Sequence, residues 1–169
     1  PPMKTPRAKP TSSTSSPAPR ARASLLVIGY GNTLRQDDGV GPYVAEQVAE
    51  LGLPGVLTLV AAQLSPEHAE MLSNAQVVVF VDAVLRSSSE VQLRPLEPSG
   101  SSQVTTHAVE PGTLLALSRD LFGRAPLAWW LTIPAERLGF GEEFSPQAWL
   151  GVEAAVGEIT HLFRTRIDP

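Results

Sequence analysis

Four side chains in this sequence have the types and the placement to do chemistry: the adjacent carboxylates Asp37 and Asp38, the carboxylate Asp82 and the imidazole His107. Carboxylates together with one imidazole make an oxygen and nitrogen ligand set that leaves coordination positions open. Such a set suits a borderline divalent ion that must also bind substrate or water. Without a metal, paired carboxylates can divide the roles of acid and base. Serine, histidine and aspartate are all present, but no Gly-x-Ser-x-Gly elbow exists, so a serine hydrolase has no support. There is no cysteine, which removes a thiolate nucleophile, a thiolate metal site and a disulfide framework.

The elements that must position these groups begin with the apolar run Leu25-Leu26-Val27-Ile28, which reads as a buried strand. It ends in Gly29, Gly31 and Asn32. Asp37-Asp38 follow, then Gly39, Gly41 and Pro42, and a helix whose apolar positions are Val40, Val44, Val48 and Leu51. Glycines and carboxylates thus lie where a parallel strand hands over to a helix, the place where open α/β sheets put their sites. Read without function, the glycines are turn punctuation and the carboxylates a solvated helix start. A dinucleotide fingerprint fails because its third glycine would fall on Leu34. A phosphate loop fails because no lysine occurs after Lys9, and two carboxylates would repel a pyrophosphate.

Further along, Val56–Val60 reads as a second strand, and Ser65-Pro66 as the cap and first position of a short helix reaching about Leu72, with His68 on its surface. Val77–Val81 is a third strand ending on Asp82, a candidate position at a strand's carboxyl end. Glu90–Arg94 alternates as an edge strand does, with Pro95 and Pro98 ending it. His107 stands on a loop before a helix that starts near Pro111, carries Leu114, Leu115, Leu117 and Leu121, and ends at Gly123. Leu127–Ile133 is the last strand, with Trp129 and Trp130 supplying packing area on its two faces. Ser145-Pro146 opens a final helix whose stripe is Trp149, Val152, Val156, Ile159 and Phe163, with His161 off the stripe. Strands alternating with helices give an α/β sandwich, with room for one antiparallel edge strand.

The 169 residues suit one domain with its own core. Five of the 13 basic residues (Lys4, Arg7, Lys9, Arg20 and Arg22) and none of the 17 acidic ones precede Ala23. The body is therefore strongly acidic, which argues against nucleic acid as a partner. No apolar run approaches the ~18 residues of a membrane span. Residues 1–22 form a basic tail rich in Pro, Ser and Thr that lacks core-forming side chains and reads as disordered. A transit peptide is the lesser reading of the tail, since no amphipathic pattern accompanies its serines and arginines.

Gly29-Tyr30-Gly31-Asn32, followed by Asp37-Asp38-Gly39-x-Gly41-Pro42, resembles the opening motif of the nickel-iron hydrogenase maturation endopeptidases. The resemblance continues through Val81-Asp82-Ala83, Thr106-His107 and Leu131-Thr132-Ile133-Pro134, and it leaves out only the tail. It implies an α/β three-layer sandwich, with a mixed, mostly parallel five-stranded sheet flanked by helices, formed by a single peptidase domain over residues 23–169. It implies an aspartyl-type endopeptidase that removes the C-terminal extension of a hydrogenase large-subunit precursor after nickel insertion. The family's metal-binding positions fall on Asp38, Asp82 and His107, with Asp38 also the catalytic residue. Some relatives carry glutamate where Asp38 stands. Gly31, Asn32 and Asp37 match positions assigned to loop shape and substrate contact. Nickel would arrive with the precursor rather than be held tightly by the free enzyme. The expected partner is the nickel-loaded precursor, and the expected state a cytoplasmic monomer. The same three ligands would equally serve a non-catalytic checkpoint that senses nickel loading without cutting.

Overall fold

The computed structural model describes residues 22–85, 89–100 and 109–167. Its five strands are β1 (Ala23–Tyr30), β2 (Val56–Ala61), β3 (Ala75–Leu85), β4 (Gln92–Leu96) and β5 (Leu127–Ala135). Its α-helices are α1 (Val40–Glu50), α2 (His68–Ser73), α3 (Pro111–Phe122) and α4 (Pro146–Arg166), and a 3-10 turn, Gln36–Gly39, leads into α1. The sheet order is β2-β1-β3-β5-β4. All pairs are parallel except β4 with β5, so β4 is the antiparallel edge strand.

Side-chain alternation along the strands builds the two cores. Leu25 and Val27 of β1, Val79 and Val81 of β3, and Leu131 and Ile133 of β5 pack with residues of α1 and α4. Leu26, Ile28, Val78, Phe80 and Ala128 face the other way, against α2 and α3. This is a three-layer α/β/α sandwich, and it explains why β1 and β3 read as continuous apolar runs: both of their faces are covered. Trp129 and Trp130 indeed take opposite faces, each beneath a guanidinium, Arg166 and Arg94 respectively. No helix among the described residues is long and apolar enough to cross a membrane.

Several local expectations are corrected. β3 does not stop at Asp82 but continues to Leu85, because Asp82, Ala83, Val84 and Leu85 keep their register with Thr132 to Ala135 of β5. β4 runs through Pro95 to Leu96; at a sheet edge proline's missing N–H costs nothing. Leu51, Leu121 and Trp149 are exposed rather than core. Leu51 falls just past the end of α1. Trp149 instead joins an edge-to-face aromatic group with Tyr43 and Phe144. α2 starts two residues later than the Ser65-Pro66 pair suggested, and His68 is half-buried: its Nδ1 accepts from the Ser65 N–H at 3.1 Å.

Candidate functional site

The site is built where β1 ends. Gly31 has φ of 144°, and a β-carbon there would collide with the Asp38 carbonyl, so only glycine lets the chain fold back on itself. Asn32 then closes a turn, its Oδ1 accepting from Leu34 N–H at 2.9 Å. The Asn32 N–H donates to Asp38 Oδ2 at 3.0 Å, which holds the Asp38 carboxylate over the loop. At Gly41 a β-carbon would lie 2.6 Å from the carbonyl oxygens of both Tyr30 and Val81. Glycine therefore lets the first turn of α1 rest on the ends of β1 and β3. These two strands diverge in connection, one leading to β2 and the other toward β5, so the rim between them is the switch point of the sheet.

Asp37 and Asp38 are adjacent in sequence and opposite in environment. Asp37 is fully buried. Its carboxylate accepts from the Glu136 N–H at 2.8 Å, Arg137 N–H at 2.9 Å, Ser145 N–H at 2.7 Å and Ser145 hydroxyl at 2.8 Å. The Asp37 N–H in turn donates to the Arg137 carbonyl at 3.1 Å. Burial alone would raise this carboxyl's pKa, but the bonds from Ser145, Glu136 and Arg137 outweigh it and hold the pKa below the ordinary value. Asp37 thus ties the loop after β1 to the loop after β5. A direct substrate contact does not fit a side chain with no exposed surface; the loop-shaping role has the geometry it needs. Gln36 beside it takes a positive φ of 48°, held by its N–H to the Gly141 carbonyl at 2.7 Å and by its Oε1, which accepts from Gly139 N–H at 3.2 Å.

Asp38 is partly exposed on the rim, and its charge acts on Asp82. Asp82 accepts from the Tyr30 hydroxyl at 3.0 Å. Burial pushes the Asp82 carboxyl up to about 6, with the Asp38 charge adding, against the Tyr30 hydroxyl and the Ala83 N–H, which lower it. Burial and the Asp82 charge likewise raise the Tyr30 phenol, so it stays a donor. Glu110, which precedes α3, adds its negative charge near Tyr30. The rim is a shared electrostatic site of two carboxylates, one half-solvated and one largely desolvated.

His107 lies outside the described residues, so among them only Asp38 and Asp82 of the expected ligand set are brought into one site. No three His, Cys, Asp or Glu side chains among the described residues converge to hold a metal. Gly31 and Asn32 lie on the same rim loop as Asp38. Reading the sequence did not single out Tyr30 as a partner of Asp82 or Ser145 as a partner of Asp37. Tyr30 falls on the same strand face as Ile28, but nothing local reports a partner so far along the chain. Ser145 was visible only as a helix cap. A hollow of about 480 Å³ lies far from this rim, lined by Leu96, Trp129, Leu162 and Ile167 among others, and it holds no carboxylate pair.

No protein-family profile matches the chain, and no curated protein sequence matches it. Solved structures do. The hydrogenase 2 maturation peptidase of Thaumarchaeota archaeon SCGC_AB-539-E09 is 23% identical with a TM-score of 0.62, covering 83% of this chain and 97% of that one. The NiFe hydrogenase maturation protease HycI of Thermococcus kodakarensis KOD1 is 23% identical at a TM-score of 0.63, covering 86% and 96%. The hydrogenase maturating endopeptidase HybD of E. coli is 18% identical at a TM-score of 0.66, covering 83% and 92%. The fold of this chain is that of the hydrogenase maturation proteases, a mixed and mostly parallel five-stranded sheet between helices.

Proposed function

We propose that the chain is a processing endopeptidase that removes the C-terminal extension of a nickel-iron hydrogenase large-subunit precursor once nickel is inserted. The observation that carries this reading is the Asp38 and Asp82 pair, electrostatically coupled at the switch point of a sheet shared with structures named as hydrogenase maturation proteases. Nickel belongs to the substrate in this scheme. Asp38, Asp82 and His107 reach the ion already seated in the precursor, and that contact lays the scissile bond along the carboxylate rim. Asp38, the more solvated carboxylate, is the group available to take a proton from the attacking water. Positioning substrate and water together supplies much of the acceleration. The protein acts as a cytoplasmic monomer on this reading.

Incubation of the full chain with nickel-loaded and nickel-free precursor, followed by mass spectrometry of both products, tests the proposal. The loaded precursor loses a C-terminal peptide and the empty one stays whole. With Asp38→Ala the loaded precursor also stays whole, while the melting temperature is kept. Equal cleavage of both precursors would overturn nickel recognition. A stable complex with loaded precursor and no mass change would establish a checkpoint rather than a peptidase.

A further inference from the structure

The Asp37 tie does more than hold Asp38. It brings the segment Leu34-Arg35-Gln36 against Gly139-Phe140-Gly141, where Arg35 and Gly141 form a parallel bridge. The Gln36 N–H donates to the Gly141 carbonyl at 2.7 Å, and the Gly141 N–H to the Leu34 carbonyl at 2.9 Å. The Arg35 guanidinium donates to the Leu138 carbonyl at 3.2 Å. These bonds lay the backbone at Leu34 alongside that at Phe140 and Gly141. Both are exposed, Leu34 at 49% and Phe140 at 90%. Neither large apolar side chain gains much burial from the fold it stands on, yet the backbone beneath them is fixed by hydrogen bonds. Around them Arg35, Arg137, Glu142 and Glu143 are exposed and of both signs. An apolar pair with a polar rim is the pattern of an interaction site.

We propose that Leu34 and Phe140 form a docking ledge for the substrate polypeptide, taking an apolar side chain of the segment that runs past the scissile bond. This rests on the peptidase reading above. Leu34 lies four residues before Asp38, a stretch of at most about 14 Å even if extended. A substrate side chain within about four residues of the cut therefore reaches the ledge. Two large side chains offer at most roughly 400 Å², about half of the ~800 Å² per partner that a stable protein interface buries. The ledge thus fits one peptide segment and is too small for a second copy of this chain. Because it is pre-formed, little ordering opposes binding.

The test compares the full chain with its Leu34→Ser/Phe140→Ser double variant on nickel-loaded hydrogenase precursor. Both positions are exposed, so the variant keeps its melting temperature within a degree or two. KM rises at least tenfold and kcat stays within about twofold, because the ledge binds and does not react. The control Leu121→Ser/Leu127→Ser removes equally exposed apolar side chains elsewhere and leaves both constants unchanged. An unchanged KM in the ledge variant, with the wild type cutting normally, overturns the ledge and leaves the peptidase reading standing. So does a loss confined to kcat, or an equal rise in KM in the control. A wild-type chain that cannot cut the precursor overturns the peptidase reading, and the ledge with it.

Discussion

Asp82 is placed where its charge opposes folding. Its carboxyl is raised to about 6 in the folded chain, against ~3.9 for an unperturbed aspartate. Between those values the folded state binds the proton that the unfolded state has released, so stability falls as pH rises through that window. Below about pH 4 both states are protonated and the penalty vanishes. Asp82→Asn keeps the shape and still offers an oxygen to Tyr30. It is expected to abolish processing while raising the melting temperature by a few degrees at pH 8 and by nothing at pH 4. Thermal melts at the two pH values check this; a variant no more stable than wild type at pH 8 would contradict it. Asp37 has the opposite sign. Its lowered pKa means its contribution is present above about pH 4 and disappears as pH falls through the folded value. Asp37→Ala strands four donors, the two of Ser145 buried and those of Glu136 and Arg137 part-buried; a buried donor costs about 1–3 kcal/mol when unsatisfied. The expected loss is at least about 3 kcal/mol, or roughly 6–12 °C of melting temperature. A drop of under two degrees at neutral pH would show that water replaces the carboxylate.

At the scale of elements, the loop after β5 and the start of α4 share one residue. Ser145 caps α4 by accepting from the Ala148 N–H at 3.1 Å, and its hydroxyl donates to Asp37 at 2.8 Å. One hydroxyl therefore joins the longest helix to the loop that carries Asp38. A lost helix cap alone costs about 0.5–2 kcal/mol, and the lost donor to a buried carboxylate adds a charge-assisted bond. Ser145→Ala is expected to destabilise more than an isolated cap, and Ser145→Asp to fail as a rescue, since a second carboxylate would face Asp37. Denaturant titration of the two variants reads this directly. Equal stability of Ser145→Asp and wild type would mean that capping is the residue's whole role.

For the whole molecule, the described sheet begins at Ala23, and the described residues build a core on each of its faces. Removing residues 1–22 is expected to shift the melting temperature by no more than about two degrees, because the deleted residues carry no core-forming side chains. A fall of many degrees on calorimetry of the truncated chain would show that the tail is part of the fold. Asp38 and its loop stand at the carboxyl end of β1, beside β3.

Leu25–Ile28 and Val77–Val81 were legible because strands covered on both faces must be apolar at every position, and Leu127–Ile133 because its run is apolar at all but Thr132. The helix that opens at Ser145-Pro146 was legible because cap chemistry is local. The turn at Gly31 and the acidic pair after it marked the rim for the same reason: their signal lies within a few residues. Local pattern could not separate Asp37 from Asp38. Two identical side chains acquired opposite fates only when Glu136, Arg137 and Ser145 arrived from the other end of the chain to take all the hydrogen bonds of the first. Nor could it show that β3 runs past Asp82, since that extension depends on register with β5. Tyr30 as the partner of Asp82, and Arg35 bridged to Gly141, are likewise pairings across distant segments. Composition and period mark the strands and the main apolar stripes; only packing of the sheet and its loops decides which stripe residues stay exposed, as Leu51, Leu121 and Trp149 do, and which polar groups meet, because hydrogen bonds and charges act over a few ångströms and not along the chain.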